Sequence, residues 1–316
     1  TRPDKEDDRV RQIEALNAQT GPVLLAHPDC GEAEALIEAA RQSLLANPLL
    51  DFDRLLAVRR VMDPKKARQD MHGELGFIAL NSHNHVTIRK TGWKNDIVRI
   101  SDLRGSPKIE SVYRGDGSGL IRDIELDFDA QRLLFTGINT NKNLALFECL
   151  PDGTGVAEVT PKDAPDVDWF DGCYTPDGRI VLLGTAAYQG LPCENGSKPM
   201  AQLYLLDRKS GSLRQLTYEQ DSDYTPTIMN DGRILYTRWE YSDIPHYWSR
   251  ILMTMNPDGT GQLALYGSGS YFPTCLMECR PMPGSPHKVI GIVSGHHDYA
   301  EIGRMVVIDP TLARSY

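Results

Sequence analysis

A short turn phrase recurs along this chain at a spacing of roughly 50 residues, and that spacing limits the fold more than any other feature. Pro176-Asp177-Gly178 precedes the apolar run Arg179-Ile180-Val181-Leu182-Leu183, and Asn230-Asp231-Gly232 precedes Arg233-Ile234-Leu235-Tyr236. Related turns fall at Asp129 and around Pro283, and Asp51-Phe52-Asp53-Arg54-Leu55-Leu56 echoes the stretch from Asp127 to Leu134. A second phrase follows an apolar run: Leu146-Phe147-Glu148-Cys149-Leu150 before Pro151-Asp152-Gly153, and Ile251-Leu252-Met253-Thr254-Met255 before Asn256-Pro257-Asp258-Gly259. Asp-Gly between apolar runs is a hairpin signal, because these turns need residues that accept a positive φ.

The alternation implies antiparallel units of four strands, a to d, with the first turn joining a to b and the second joining c to d. Such a unit cannot bury both faces alone, whereas radial stacking buries them and leaves only short edges. The predicted fold is therefore all-β: a β-propeller of four-stranded blades. Five blades are expected, at about 48–115, 120–161, 166–218, 222–267 and 270–315, with the propeller continuing beyond this chain. Their b strands, from Leu55-Leu56 to Val289-Ile290-Gly291-Ile292, should lie buried between neighbouring sheets.

Residues 1–47 read as a helical lead-in. Asp29 and Glu32 form a capping-box pattern, Ala33, Leu36, Ile37, Ala40 and Leu44 share one helical face, and Asn47-Pro48 ends the helix. The lead-in is expected to pack on the propeller domain at 48–316.

With 316 residues, 41% hydrophobic, the chain can build a large core. A net charge of -9 without a basic run disfavours nucleic acid and anionic membranes as partners. No apolar run is long enough to span a bilayer. Six cysteines permit disulfides; Cys173 with Cys193, both in the third blade, is the candidate pair, with packing of two unlinked thiols as the alternative. Neither a zinc ribbon nor a c-type haem attachment motif occurs in this stretch.

If the a–b and c–d turns share one face, the b–c connections lie on the other. They are long in blades 1, 3, 4 and 5, and they collect six of the eight histidines: His72, His83, His85, His246, His296 and His297. Insertions confined to one face of a repeat protein mark a binding face. Candidate ligand- or partner-binding residues are Trp239, Glu240, Tyr241, Asp243, His246, Arg250, His296 and His297. Candidate metal ligands, for a divalent ion, are His246, His296, His297, His83 and His85, with His246 and His296–His297 sharing one mouth and His83 and His85 remote from them. The aromatic residues around Trp239 read equally as a stacking platform or as loop core.

The run from Trp239-Glu240-Tyr241-Ser242-Asp243 through His246, Ser249-Arg250-Ile251-Leu252 and Asn256-Pro257-Asp258-Gly259-Thr260-Gly261, followed by Gly295-His296-His297, resembles exported bacterial propeller proteins of planctomycete type. These carry TolB-like repeats and are similar to the hydrazine synthase alpha subunit. Asp171-Gly172-Cys173-Tyr174 and Gly190-Leu191-Pro192-Cys193 look like the preceding blade of the same family. The resemblance implies a periplasmic or otherwise exported scaffold that binds another domain, a subunit, or a small-molecule or carbohydrate ligand. Two rival functions follow from it: the propeller part of a haem redox subunit whose haem is attached elsewhere, and a metal-dependent carbohydrate-active propeller of lyase type.

Overall fold

The computed structural model describes residues 31–47, 52–61, 83–115, 119–241, 249–268, 275–295 and 303–312. Five antiparallel sheets follow one another along the chain, none sharing a strand with another. Blade 1 holds β1 (Arg54–Arg59), β2 (Asp96–Ser101) and β3 (Lys108–Arg114). Blade 2 holds β4 (Arg122–Leu126), β5 (Leu133–Ile138), β6 (Leu144–Cys149) and β7 (Ala157–Glu158). Blade 3 holds β8 (Trp169–Tyr174), β9 (Ile180–Gly184), β10 (Gln202–Leu206) and β11 (Leu213–Gln215). Blade 4 holds β12 (Asp223–Ile228), β13 (Ile234–Glu240), β14 (Ser249–Met255) and β15 (Leu263–Tyr266). Blade 5 holds β16 (Cys275–Pro281), β17 (Val289–Ser294) and β18 (Arg304–Ile308). This is the expected propeller. The three middle blades have four strands. Among the described residues, blade 1 has strands b, c and d, and blade 5 has a, b and c.

The turns form as the repeated phrases require. Gly178, Gly232, Gly153 and Gly259 have φ between +80° and +86°. Gly178 N–H donates to the Thr175 carbonyl at 2.9 Å, and Gly232 N–H to that of Met229 at 2.9 Å.

Blades stack through their inner strands, with β8 against β4, β5 and β6, β12 against β8, β9 and β10, and β16 against β12, β13 and β14. The b strands of blades 2 to 4 supply much of the core: Leu133, Leu134, Phe135, Ile180, Val181, Leu182, Ile234, Leu235 and Tyr236 are all at most 1% exposed. In blade 1 the expectation fails, since Leu55 is 40% exposed; among the described residues β1 is an edge strand of its sheet, with a neighbour on one side only. A buried carboxylate joins two blades. Glu148 on β6 accepts from Arg132 at 2.7 Å, from Arg208 at 2.6 Å and from the Tyr174 hydroxyl at 3.0 Å. Two blade 3 side chains are thereby tied to blade 2.

The lead-in helix, α1 (Gly31–Leu45), forms as predicted. Its apolar stripe stays largely in solvent: Leu36, Ile37 and Leu44 are 72%, 45% and 50% exposed. The helix instead meets blade 1 through Arg41, which donates to the carbonyls of Leu103 and Gly105. Asp29, the expected cap, lies outside the described residues. No described helix is long and apolar enough to cross a membrane.

Candidate functional site: the loop face and the central cavity

The innermost strand of blades 2 to 5 breaks register once, at the same place each time. The slips lie between Arg122 and Glu125, Phe170 and Cys173, Tyr224 and Thr227, and Met277 and Arg280. Each opens on a non-glycine residue in the left-handed region: Asp123 at φ +51°, Asp171 at +49°, Thr225 at +46° and Glu278 at +51°. A bulge re-aims a side chain at a cost in backbone energy, and such outliers gather at functional sites. Pro226 fits here because it has no N–H to give, and the ladder is already broken.

The bulges surround a central cavity of about 400 Å³. Its lining is of mixed sign, with guanidinium groups from Arg60, Arg122 and Arg280 and carboxyls from Asp123, Glu125, Asp171 and Glu278. A water-sized space of about 10 Å³, lined in part by Asn84 and His85, shares Asp171 and Glu278 with it.

His85 arrives from an unexpected direction. It belongs to the b–c connection of blade 1, yet it sits among blades 2 and 3. Its Nδ1 lies 3.1 Å from Asp123 Oδ2, its Nε2 3.4 Å from Arg122 Nη2, and its ring 5.1 Å from that of Phe170. Burial opposes a charge on His85, but Asp123 outweighs it and raises the imidazole pKa above its usual value. Burial likewise opposes charge on Asp123, and His85 with Arg122 overcomes it, holding that carboxyl well below the ordinary range. Asp171 behaves oppositely. Burial first, then Asp123 and Glu278, push it up to about 7, against the pull of His85 and Arg280.

The rest of the same connection is built into other blades. Asn84 donates to the Pro199 carbonyl at 2.8 Å and to Ser222 Oγ at 3.3 Å. Lys90 reaches Asp168 at 2.5 Å, and the same Asp168 oxygen accepts the Leu144 N–H at 2.7 Å. His83 Nε2 lies 3.3 Å from Glu194 Oε1. Ile88 and Trp93 join the core cluster that holds Phe170, Leu183 and Leu203.

In blade 4, Trp239 is 1% exposed and packs with Leu191, Met200, Tyr224, Cys275 and Met277, so it is loop core and no open platform. Arg250, fully buried, lies between the Trp239 ring at 4.2 Å and the Tyr224 ring at 5.0 Å. Glu240 is half-buried, its pKa raised by burial, and lies 4.0 Å from Arg238. Tyr241 packs at 5.5 Å on Trp239. Asp243, His246, His296, His297 and His72 lie outside the described residues.

Cys173 and Cys193 are free thiols. Cys173 is packed with Val181 and Leu183, while Cys193 packs beside the Trp239 group, in a separate cluster. Of the two alternatives the sequence left open, the structure has the unlinked thiols. Among the described residues, no group of three or more His, Cys, Asp or Glu is placed to hold a metal ion.

Among the described residues, the loop face carries two solvent-exposed tyrosines that the candidate site set omits. Tyr188, in the b–c connection of blade 3, is 71% exposed and has φ +52°. Tyr218, in the link from blade 3 to blade 4, is 74% exposed. Both act on the ionisation of Tyr204, which burial raises to about 12.

Comparison with known proteins agrees with this architecture. A family model described as "Protein of unknown function (DUF1015)" matches residues 1–78. No curated protein matches the chain. Among solved structures, Kuenenia stuttgartiensis hydrazine synthase superposes with a TM-score of 0.61 at 14% identity, over 92% of this chain and 41% of that one. TolB from Agrobacterium tumefaciens matches at 0.48 and 17% identity, over 74% of this chain and 76% of its own. TolB from Acinetobacter baumannii matches at 0.43 and 16%, over 69% and 46%. The likeness to hydrazine synthase is one of fold alone. The chain spans less than half the length of the hydrazine synthase chain that it matches.

Proposed function

We propose that this chain is the binding propeller of a larger exported protein, a scaffold that presents its b–c loop face to a partner domain or ligand. Tyr188 carries the reading. A bulky aromatic residue held at positive φ and left 71% exposed costs backbone energy and leaves apolar surface in water, which docking would offset. Tyr218 beside the same blade extends the aromatic surface. The test is a photo-crosslinking amino acid placed at position 188 in the native host, with position 177, in an a–b turn on the other face, as control. A discrete adduct from 188 alone supports the loop face. No adduct, or the same adduct from both positions, overturns it.

A metal on the histidines of this face is a second proposal, supported by the number of imidazoles that the sequence assigns there. His83 faces one carboxylate, Glu194, which is the outer hydrogen bond that orients a ligating imidazole, whereas His85 has Asp123 at one nitrogen and Arg122 at the other and is left out of the set. Metal analysis of the pure protein should show a divalent ion that His246→Ala or His296→Ala diminishes; undiminished content in both variants rejects it.

A further inference from the structure

The central cavity lies among the bulges of the inner strands, and its lining is charged. Asp171 is 6% exposed, and its Oδ2 has no hydrogen-bond partner although it lines the cavity. Arg280 lines the same cavity, and its Nη1, withdrawn from solvent, has no hydrogen-bond partner either. Unsatisfied buried polar atoms are expensive; a third on this cavity, Asp123 Oδ2, faces His85 at 3.1 Å, which leaves these two to be explained. One is an acceptor and the other a cationic donor. A purely anionic guest would satisfy Arg280 but meet the four lining carboxyls, and a purely cationic one would meet the three guanidinium groups. The volume, about 400 Å³, is in the range of small-molecule sites.

We propose that the cavity binds a small zwitterion of amino-acid to dipeptide size, its carboxylate on Arg280 and its ammonium on Asp171. The bulges serve this site, because without the left-handed residue at Asp171 the strand's ordinary alternation would set its carboxyl elsewhere. Asp171 titrates near neutrality, so an ammonium placed beside it drives its ionisation, and binding at pH 7 releases protons.

The experiment is calorimetric titration of the chain with L-alanine, and with propionate and ethylamine, its single-charge counterparts. Alanine should bind at least about tenfold more tightly than either, since each lost charge-assisted contact costs at least that factor. Its heat should change between buffers of different ionisation enthalpy in the sense of proton release. Arg280→Met and the isosteric Asp171→Asn should each weaken binding by about tenfold or more, with circular dichroism and melting checked to confirm an intact fold. Propionate or ethylamine binding as tightly as alanine overturns the proposal, as does an absence of alanine binding to folded parent protein. Variants that fold and bind like the parent also overturn it.

Discussion

Asp171 and His85 line the same small space, and they push the protein's stability in the same direction with pH. The folded-state pKa of Asp171, about 7, exceeds its unfolded value near 3.8, so the folded state holds a proton that the unfolded state releases between those limits. Its contribution is present below pH 4 and lost as pH rises toward 7. Asp223, raised to about 7 by burial, and Asp221, raised to about 6 by burial, act alike. His85, its pKa raised, contributes stability below its unfolded value near 6.5 that disappears above its folded one. The melting temperature should therefore fall between pH 5 and pH 8. Asp171→Asn should flatten that slope and raise the melting point at pH 8 by about 2–4 °C for each kcal/mol recovered. An unchanged slope in differential scanning calorimetry would reject the assignment. Trp239 gives a second check. Truncation to Ala removes a fully buried indole and the face on which Arg250 rests, and should cost about 3–5 kcal/mol in urea unfolding. The sequence assigned Trp239 and Arg250 to the b–c connection, but they lie on β13 and β14 and pair across the ladder, and it left core and platform equally open because the choice turns on Leu191, Met200 and Met277 from other blades.

Individual elements show which parts of the fold a sequence can reveal. The turns were legible because their chemistry is local: Asp177-Gly178 and Asp231-Gly232 carry the positive φ within the phrase itself. Ala130 holds the corresponding place in blade 2, at φ +52°, and its N–H donates to the Asp127 carbonyl at 2.9 Å as Gly178 does to Thr175. Alanine is strained there and glycine is not, so Ala130→Gly should stabilise the protein by about 0.5–1 kcal/mol, even after the larger unfolded-state entropy of glycine. The urea midpoint should rise with no change in slope. The bulges were not legible in the same way, because a bulge is a relation between two strands. Their signal was present but faint: Asp123, Asp171 and Glu278 put acids in strand a where alternation on a buried strand favours apolar residues. The exposed stripe of α1 is the converse case. Its periodicity fixed the helix, but periodicity cannot say whether a partner surface exists, and Leu36 stays 72% exposed.

At the scale of the molecule, the b–c connection of blade 1 behaves as a strap. Antiparallel geometry placed it correctly on the loop face, but nothing in its own sequence revealed that it leaves its blade and crosses to blades 2, 3 and 4. Its anchors are spread over distant residues. Asn84 holds the Pro199 carbonyl and Ser222 Oγ, Lys90 holds Asp168, and Ile88 and Trp93 enter the core. The strap also delivers His85 to the bulges, so that the loop face and the cavity share one element. Such an arrangement should open as a unit before the blades do, because its polar anchors are few and its backbone makes little ladder of its own. Asn84 is the point to break it: it is 1% exposed, its amide nitrogen bridges two partners, and its side-chain oxygen accepts the Val86 N–H at 3.1 Å. Asn84→Ala leaves the Pro199 carbonyl and the Val86 N–H without these bonds and should cost about 1–3 kcal/mol. Amide exchange should then quicken over residues 83–93, while β9, β10 and β13, held by full ladders, keep their protection. Uniform acceleration across all blades would show that the strap is part of one cooperative unit, and no acceleration would show that its apolar anchors alone hold it.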